Sequence, residues 1–336
     1  MATPRAAPKG VTAVEAPDAR EVLPPAAYGV ERIPTRTVFT PARPPVGHER
    51  YQGSTGFLDL ALTAKTPLLI GSGDVEIGPG SQTGIYQTFA RSRGEVVIPG
   101  SSFKGVLRSY AEALSPSCLG GRCRVGTTGL CPACSIFGAS SYAGRVVVFD
   151  LWAGPCRTSP IGIEARWAPG PGREDERKFY HHLAEVRPGD ERVEVVAAGT
   201  RFQGVGGGTA PAESTPVLAF RNVEDWELGL VFLALGLAPD YRFLLKVGGG
   251  KAQGLGSSQV EVTRVTIRPA EGGDVGDRRE DRLEEYGAAL VGGYLQYAQD
   301  HWGATPRGVT VRDLVESIAR LFAQDSTALA AGGVGQ

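Results

Sequence analysis

Residues 96–114 read VVIPGSSFKGVLRSYAEAL and change character at a single dipeptide. Val96 to Ile98 are apolar and β-prone, Pro99-Gly100 reads as a turn, and Ser101 or Ser102 is placed to cap a helix. From there Phe103, Val106, Leu107, Tyr110 and Leu114 recur at helical spacing, so one apolar face is predicted. Upstream, GFLDLALTA alternates Phe57, Asp59 and Ala61 with Leu58, Leu60 and Leu62, the pattern of a half-buried strand. Pro67 and then IGSGDVEIGPGSQTG predict a long glycine-rich loop between the two. The first half therefore reads strand, loop, helix.

The second half repeats the order. GRVVVFDLWAG is a β-branched strand, Val217 to Phe220 another, and Asn222 is placed to cap a helix carrying Trp226, Leu230, Leu233 and Leu237. Strand YRFLLKV, a second glycine loop and strand QVEVTRVTI complete it. The fold class expected is α+β, with a ferredoxin-like βαββαβ sheet over residues 51–268. Residues 1–50 read as an extended Pro/Ala-rich arm, and 269–336 as a helical appendage with two amphipathic stretches. The polar segment 157–214 is too long for an ordinary connection and predicts an insertion with its own hairpin.

The chain has 336 residues and a formal net charge of −1, so overall charge does not mark a nucleic-acid binder. No apolar run reaches membrane-spanning length and the first residues lack a secretory apolar block, which predicts a cytoplasmic protein with no membrane partner. A reducing compartment argues against disulfides.

Four of the five cysteines fall in 118–134 as Cys118-x4-Cys123-x7-Cys131-x2-Cys134. Metal clamp, disulfide pair and redox switch are the alternatives. Two short-looped cysteine pairs suit four thiolates around zinc, in a closed site that serves folding. Cys156 stands apart as an ordinary thiol.

Between Arg91 and Arg145 the cations Arg91, Arg93, Lys104, Arg108, Arg122, Arg124 and Arg145 outnumber Glu95 and Glu112 by five. Lys104 and Arg108 share a helix face beside Ser101 and Ser102, a candidate phosphate site at a helix start. GGGKAQGLG (248–256) fails the Walker pattern, because Ala252 follows Lys251 and Leu245 stands where the first glycine belongs. Close approach to a sugar-phosphate chain and a tight turn between strands both fit it. The histidines, His48, His181, His182 and His301, lie away from both glycine loops in sequence.

At VIPGSSFKGVLRS, CPACSIFG and VGGGKAQGLGSSQVEV the chain resembles the RAMP superfamily, and within it the zinc-bearing backbone subunits of type III or type III-derived CRISPR effector complexes. The resemblance covers about residues 57 to 265. It implies an RRM-like palm that oligomerises along guide RNA, with other effector subunits and complementary target RNA as partners. Ser101, Ser102, Lys104 and Arg108 would hold guide phosphates, and Gly248, Gly249, Gly250, Lys251, Gly254 and Gly256 would follow the same strand. A thumb in 157–214 would wedge the duplex with Phe179, Tyr180 or Phe202. Family members that cut target RNA use an aspartate close ahead of the I-P-G motif, yet TGIYQ (83–87) has no acid there. Asp74 is the remaining candidate for a magnesium-assisted slicer, beside a binding subunit and, as a weaker form, a guide-processing endoribonuclease.

Overall fold

The computed structural model describes residues 28–32, 44–78, 84–118, 123–124, 129–166, 176–204, 215–237, 242–268, 276–279, 282–303 and 310–319. The first half carries β1 (Tyr28–Arg32), β2 (Ser54–Ala64), β3 (Gly71–Ile77), β4 (Ile85–Phe89), β5 (Arg91–Ser92), β6 (Glu95–Ile98), α1 (Gly100–Ala113) and α2 (Pro132–Phe137). The middle carries β7 (Val146–Val148), β8 (Leu151–Trp152), β9 (Thr158–Ile163), β10 (Glu176–Tyr180), β11 (Glu191–Val196) and β12 (Arg201–Gln203). The last part carries β13 (Leu218–Val223), α3 (Asp225–Ala234), β14 (Leu245–Lys246), β15 (Ser257–Arg268), β16 (Gly276–Arg279) and α4 (Leu283–Trp302).

The architecture is mixed α+β. Its centre is the antiparallel run β15–β2–β13–β7, with Leu58 of β2 opposite Val265 and Leu218, and Leu218 opposite Val148. Leu58, Leu60 and Leu62 face the core at 3% exposure or less, as the alternation predicts, while Phe57 is exposed on the opposite face. Asp59 shares that opposite face and is buried by the Arg264 guanidinium, 2.6 Å away. β12 extends the ladder from the far end of β2 through β8 and β6.

Helix α1 buries Phe103, Leu107, Tyr110 and Ala111 against this sheet. Helix α3 is apolar all round, which requires a second cover, and α4 supplies it. Trp226 stacks on Tyr297 at 4.3 Å, and the Tyr294 hydroxyl donates to the Leu114 carbonyl at the end of α1. The first C-terminal helix is thus packed on the central domain.

Several local expectations change. The predicted glycine loop after Pro67 is the β3–β4 hairpin, and it joins β11 and β9 in a separate four-stranded sheet over Leu69, Ile163, Val193, Val195 and Leu255. Segment 157–214 does not form one hairpin: β9 and β11 enter this sheet, β10 pairs with β1, and β12 joins the central sheet. YRFLLKV shortens to the two residues of β14. GRVVVFDLWAG splits into β7 and β8 at Phe149-Asp150. The cap of α1 is Pro99, with Gly100 N–H donating 2.7 Å to the Asp150 carboxylate, so neither serine caps it.

Asn222 does not cap α3 either. Its φ of 54° lies in the left-handed region that asparagine tolerates, and the cap is Glu224 in a reciprocal box with Glu227. The Asn222 amide donates instead to the carbonyls of Gly47 and Arg50, at 3.0 and 2.6 Å, and accepts from Gln52 N–H. The end of the expected arm is sewn to the domain by these bonds.

Candidate functional site

The α1–α2 region gathers the cysteines. Cys118 Sγ lies 3.7 Å from Cys123 Sγ, 3.7 Å from Cys131 Sγ and 3.5 Å from Cys134 Sγ, and all four sulfurs fall within 4.8 Å of one another. These separations exclude disulfides. A zinc–sulfur bond of about 2.3 Å gives a tetrahedron with edges of about 3.8 Å, so the set fits one zinc ion. Cys131 caps α2, whose second residue from the cap, Ala133, donates 3.0 Å to Ser117 Oγ. Backbone N–H groups of Cys131 and Cys134 point at Cys123 and Cys131 sulfurs, both at 3.4 Å. Three of the cysteines are buried and Cys118 is half-buried.

The expected basic surface is thinner than the sequence suggests. Arg145 is fully buried against Glu227. Arg91 pairs with Glu194 at 2.6 Å, and Arg108 with Glu112 at 2.8 Å. Arg93 and Arg124 are exposed, Lys104 is half-buried, and Arg122 lies outside the described residues. Burial, with Arg108 alongside, pulls the Lys104 ammonium below its ordinary value. Ser101 and Ser102 are exposed at the start of α1, but the first N–H of that helix is already taken by Asp150. Asp150 had no signal in the sequence, since its partner is 50 residues away.

Arg108 departs furthest from its expected role. Its guanidinium donates to Glu112 Oε1, to the Gly138 carbonyl at 2.8 Å and to Cys134 Sγ at 3.3 Å, so the fork faces the cysteine cluster and not a phosphate path.

The glycine loop lines a cavity of about 220 Å³ with Arg166, Tyr180, Gly248–Gly250, Lys251, Ala252 and Gln253. Gly248 has φ +79°, and a side chain there would collide with the Leu69 carbonyl. The loop is pinned by Gly249 N–H to Leu69 O and Gly256 N–H to Pro67 O, both 2.9 Å, and Gly254 sits against the Glu185 carbonyl. Gly254 and Gly256 thus hold the loop in place, while Gly248 to Lys251 form the cavity wall.

The three wedge candidates separate. Tyr180 reaches the loop cavity. Phe179 is buried, with its ring 6.4 Å from Tyr110. Phe202 is 0% exposed in the central sheet opposite Leu62, so it is a core residue and has no ring to insert elsewhere. His182 corrects another expectation: its Nδ1 lies 3.0 Å from Ser257 Oγ, next to the glycine loop. Burial and the nearby Lys246 push this imidazole down to about 3, so it stays neutral and serves packing. Asp74 is exposed on β3, and its N–H donates 2.9 Å to Ser72 Oγ.

Glu194 braces the smaller sheet. Burial raises its carboxyl, but Arg91, the Phe89 N–H and the Thr158 hydroxyl overcome this and draw it down to about 2 from an ordinary 4.5. A depressed carboxylate stabilises the fold above its unfolded value and loses that contribution as pH falls toward the folded one. The melting temperature is therefore expected to drop between pH 5 and pH 2, and less steeply in Glu194→Gln, as thermal scans across that window would read.

A profile of the RAMP superfamily matches residues 61–261. The chain belongs to the RAMP superfamily. One chain of the cryo-EM structure of the Type III-B Cmr-beta bound to cognate target RNA is similar at 19% identity and a TM-score of 0.35, over 65% of this chain and 62% of that one. This RAMP chain therefore spans less than two thirds of that neighbour's length. No curated protein sequence matches. Among the described residues, no helix is long and apolar enough to cross a membrane.

Proposed function

We propose that this RAMP protein binds guide RNA as a backbone subunit of a type III or type III-derived CRISPR effector complex in the cytoplasm. Copies stack along the guide beside other effector subunits and present it to target RNA. The observation that carries the reading is the glycine-loop cavity, where bare backbone, Lys251 and Tyr180 line one surface beside Arg166, which is itself paired with Glu191. Backbone without side chains admits a sugar-phosphate chain closely, a cation neutralises it, and a phenol ring offers a face for a base. The fourth-first-third-second strand order supports a ferredoxin-like palm. Exposed Ser101 and Ser102, with Lys104, supply a second proposed contact at the start of α1.

Zinc on Cys118, Cys123, Cys131 and Cys134 holds the knuckle beside α1 and takes no part in RNA chemistry. We read the subunit as one that binds and presents RNA without cutting it. Asp74 lies on the exposed hairpin, and its residue type alone supports magnesium-assisted cleavage.

Co-expression with a CRISPR array tests the reading. The wild type is expected to purify as a polymer carrying RNA of uniform length. Lys251→Glu and Lys104→Glu should each weaken RNA binding for all sequences alike. Neutral Gln variants should make the log K against log salt slope shallower by about one unit each. Monomeric, RNA-free wild type from such cells would refute the proposal.

A further inference from the structure

Two of the three motifs that carry the family resemblance meet at one side chain. Arg108 closes VIPGSSFKGVLRS, and its guanidinium reaches Cys134 Sγ and the Gly138 carbonyl, both within CPACSIFG. Four thiolates around a dipositive ion carry a net charge of about −2, which a mostly buried site must offset. The peptide N–H groups of Cys131 and Cys134 contribute dipoles, at 3.4 Å each. Arg108 supplies the cation, 3.3 Å from sulfur and side-chain 22% exposed. Its second nitrogen holds Gly138, the residue that ends α2, and its Nε holds Glu112 on its own helix.

We propose that Arg108 is the positioning residue of the cysteine metal site: it donates to Cys134 Sγ, offsets part of the negative charge of the thiolate cluster, and couples metal loading to helix α1. This rests on the reading of the cysteines as a metal site and gives Arg108 a role distinct from phosphate binding. The Gly138 carbonyl holds the fork on the sulfur, while Glu112 takes only Nε and competes for the guanidinium charge. Metal loss then releases the guanidinium and loosens the helix that presents Ser101, Ser102 and Lys104.

The test is a titration of the apo full chain with Co²⁺ and Zn²⁺, reading the cobalt sulfur-to-metal charge-transfer band and affinity by chelator competition. Arg108→Gln is expected to bind Zn²⁺ about tenfold or more weakly, in the range seen when outer-shell partners of metal ligands are removed. At full cobalt occupancy its charge-transfer band should shift, a change that loss of a brace alone would not produce. Arg108→Lys keeps the charge without the fork and should fall between. Glu112→Gln leaves Arg108 on the sulfur and should bind metal at least as tightly as wild type.

Wild-type affinity and an unmoved band in Arg108→Gln would overturn the proposal. So would a loss in Glu112→Gln equal to that in Arg108→Gln, because the helix contact would then be what matters. If Arg108→Gln does not accumulate as folded protein, Arg108→Lys decides, and wild-type affinity with an unmoved band overturns it. A wild type that takes up neither metal would remove the metal site itself, an outcome separate from any ranking of the variants.

Discussion

Arg145→Met is expected to lower unfolding stability by about 3–5 kcal/mol, the penalty for leaving one member of a buried ion pair alone. Both side chains of the Arg145–Glu227 pair are 0% exposed. The guanidinium is saturated: it donates to both Glu227 oxygens, to the Asn222 carbonyl, and to the carbonyl and hydroxyl of Ser135. Methionine removes those donors and strands a carboxylate in the core. Glu227→Leu strands the guanidinium and should cost about as much by the same reasoning. The double variant tests the cause. Replacing both with apolar residues removes both desolvation penalties, so Arg145→Met/Glu227→Leu should recover much of either single loss. Urea titrations at pH 7 read all three. A single-variant loss below about 1 kcal/mol would be the range of an exposed pair and would contradict the burial.

This pair explains why part of the site was legible in sequence and part was not. The Leu58–Leu60–Leu62 alternation, the α1 periodicity and the cysteine spacing are local patterns, and each is found where it was read. Charge roles are set by partners far along the chain. Arg145 and Glu227 are 82 residues apart, and Arg91 and Glu194 are 103 apart. No window of sequence shows that those arginines are spent inside the protein, so their count overstated the basic surface. Asn222 misled for a related reason. A polar residue before an apolar run looks like a cap, but its side chain is claimed by residues 47–52 at the other end of the domain. Phe202 shows the same limit in an aromatic residue. Its segment is polar and glycine-rich, yet β12 pairs with β2 and carries the ring into the core.

Cys134→Ser is expected to abolish stoichiometric zinc and to lower the melting temperature by about 10 °C or more. Structural zinc contributes on the order of 10 kcal/mol in small metal-folded units, and a part of that suffices at about 2–4 °C per kcal/mol. Helix α2 has only six residues, too few to persist in water by its own hydrogen bonds. It nevertheless inserts Ile136 and Phe137 into the main core, at 0% and 3% exposure. On the proposed metal reading, the ion holds this short turn against that core, while Arg108 braces it from α1 and Arg145, just ahead of β7, braces it through Ser135. Losing it should therefore spread beyond the knuckle. Chelator treatment of the wild type should reproduce the lower melting temperature, and added Zn²⁺ should restore it. The same chelator should leave Cys134→Ser where it already is. A serine variant that keeps one zinc per chain and melts with the wild type would show that the four sulfurs do not hold the ion that organises this end of the domain.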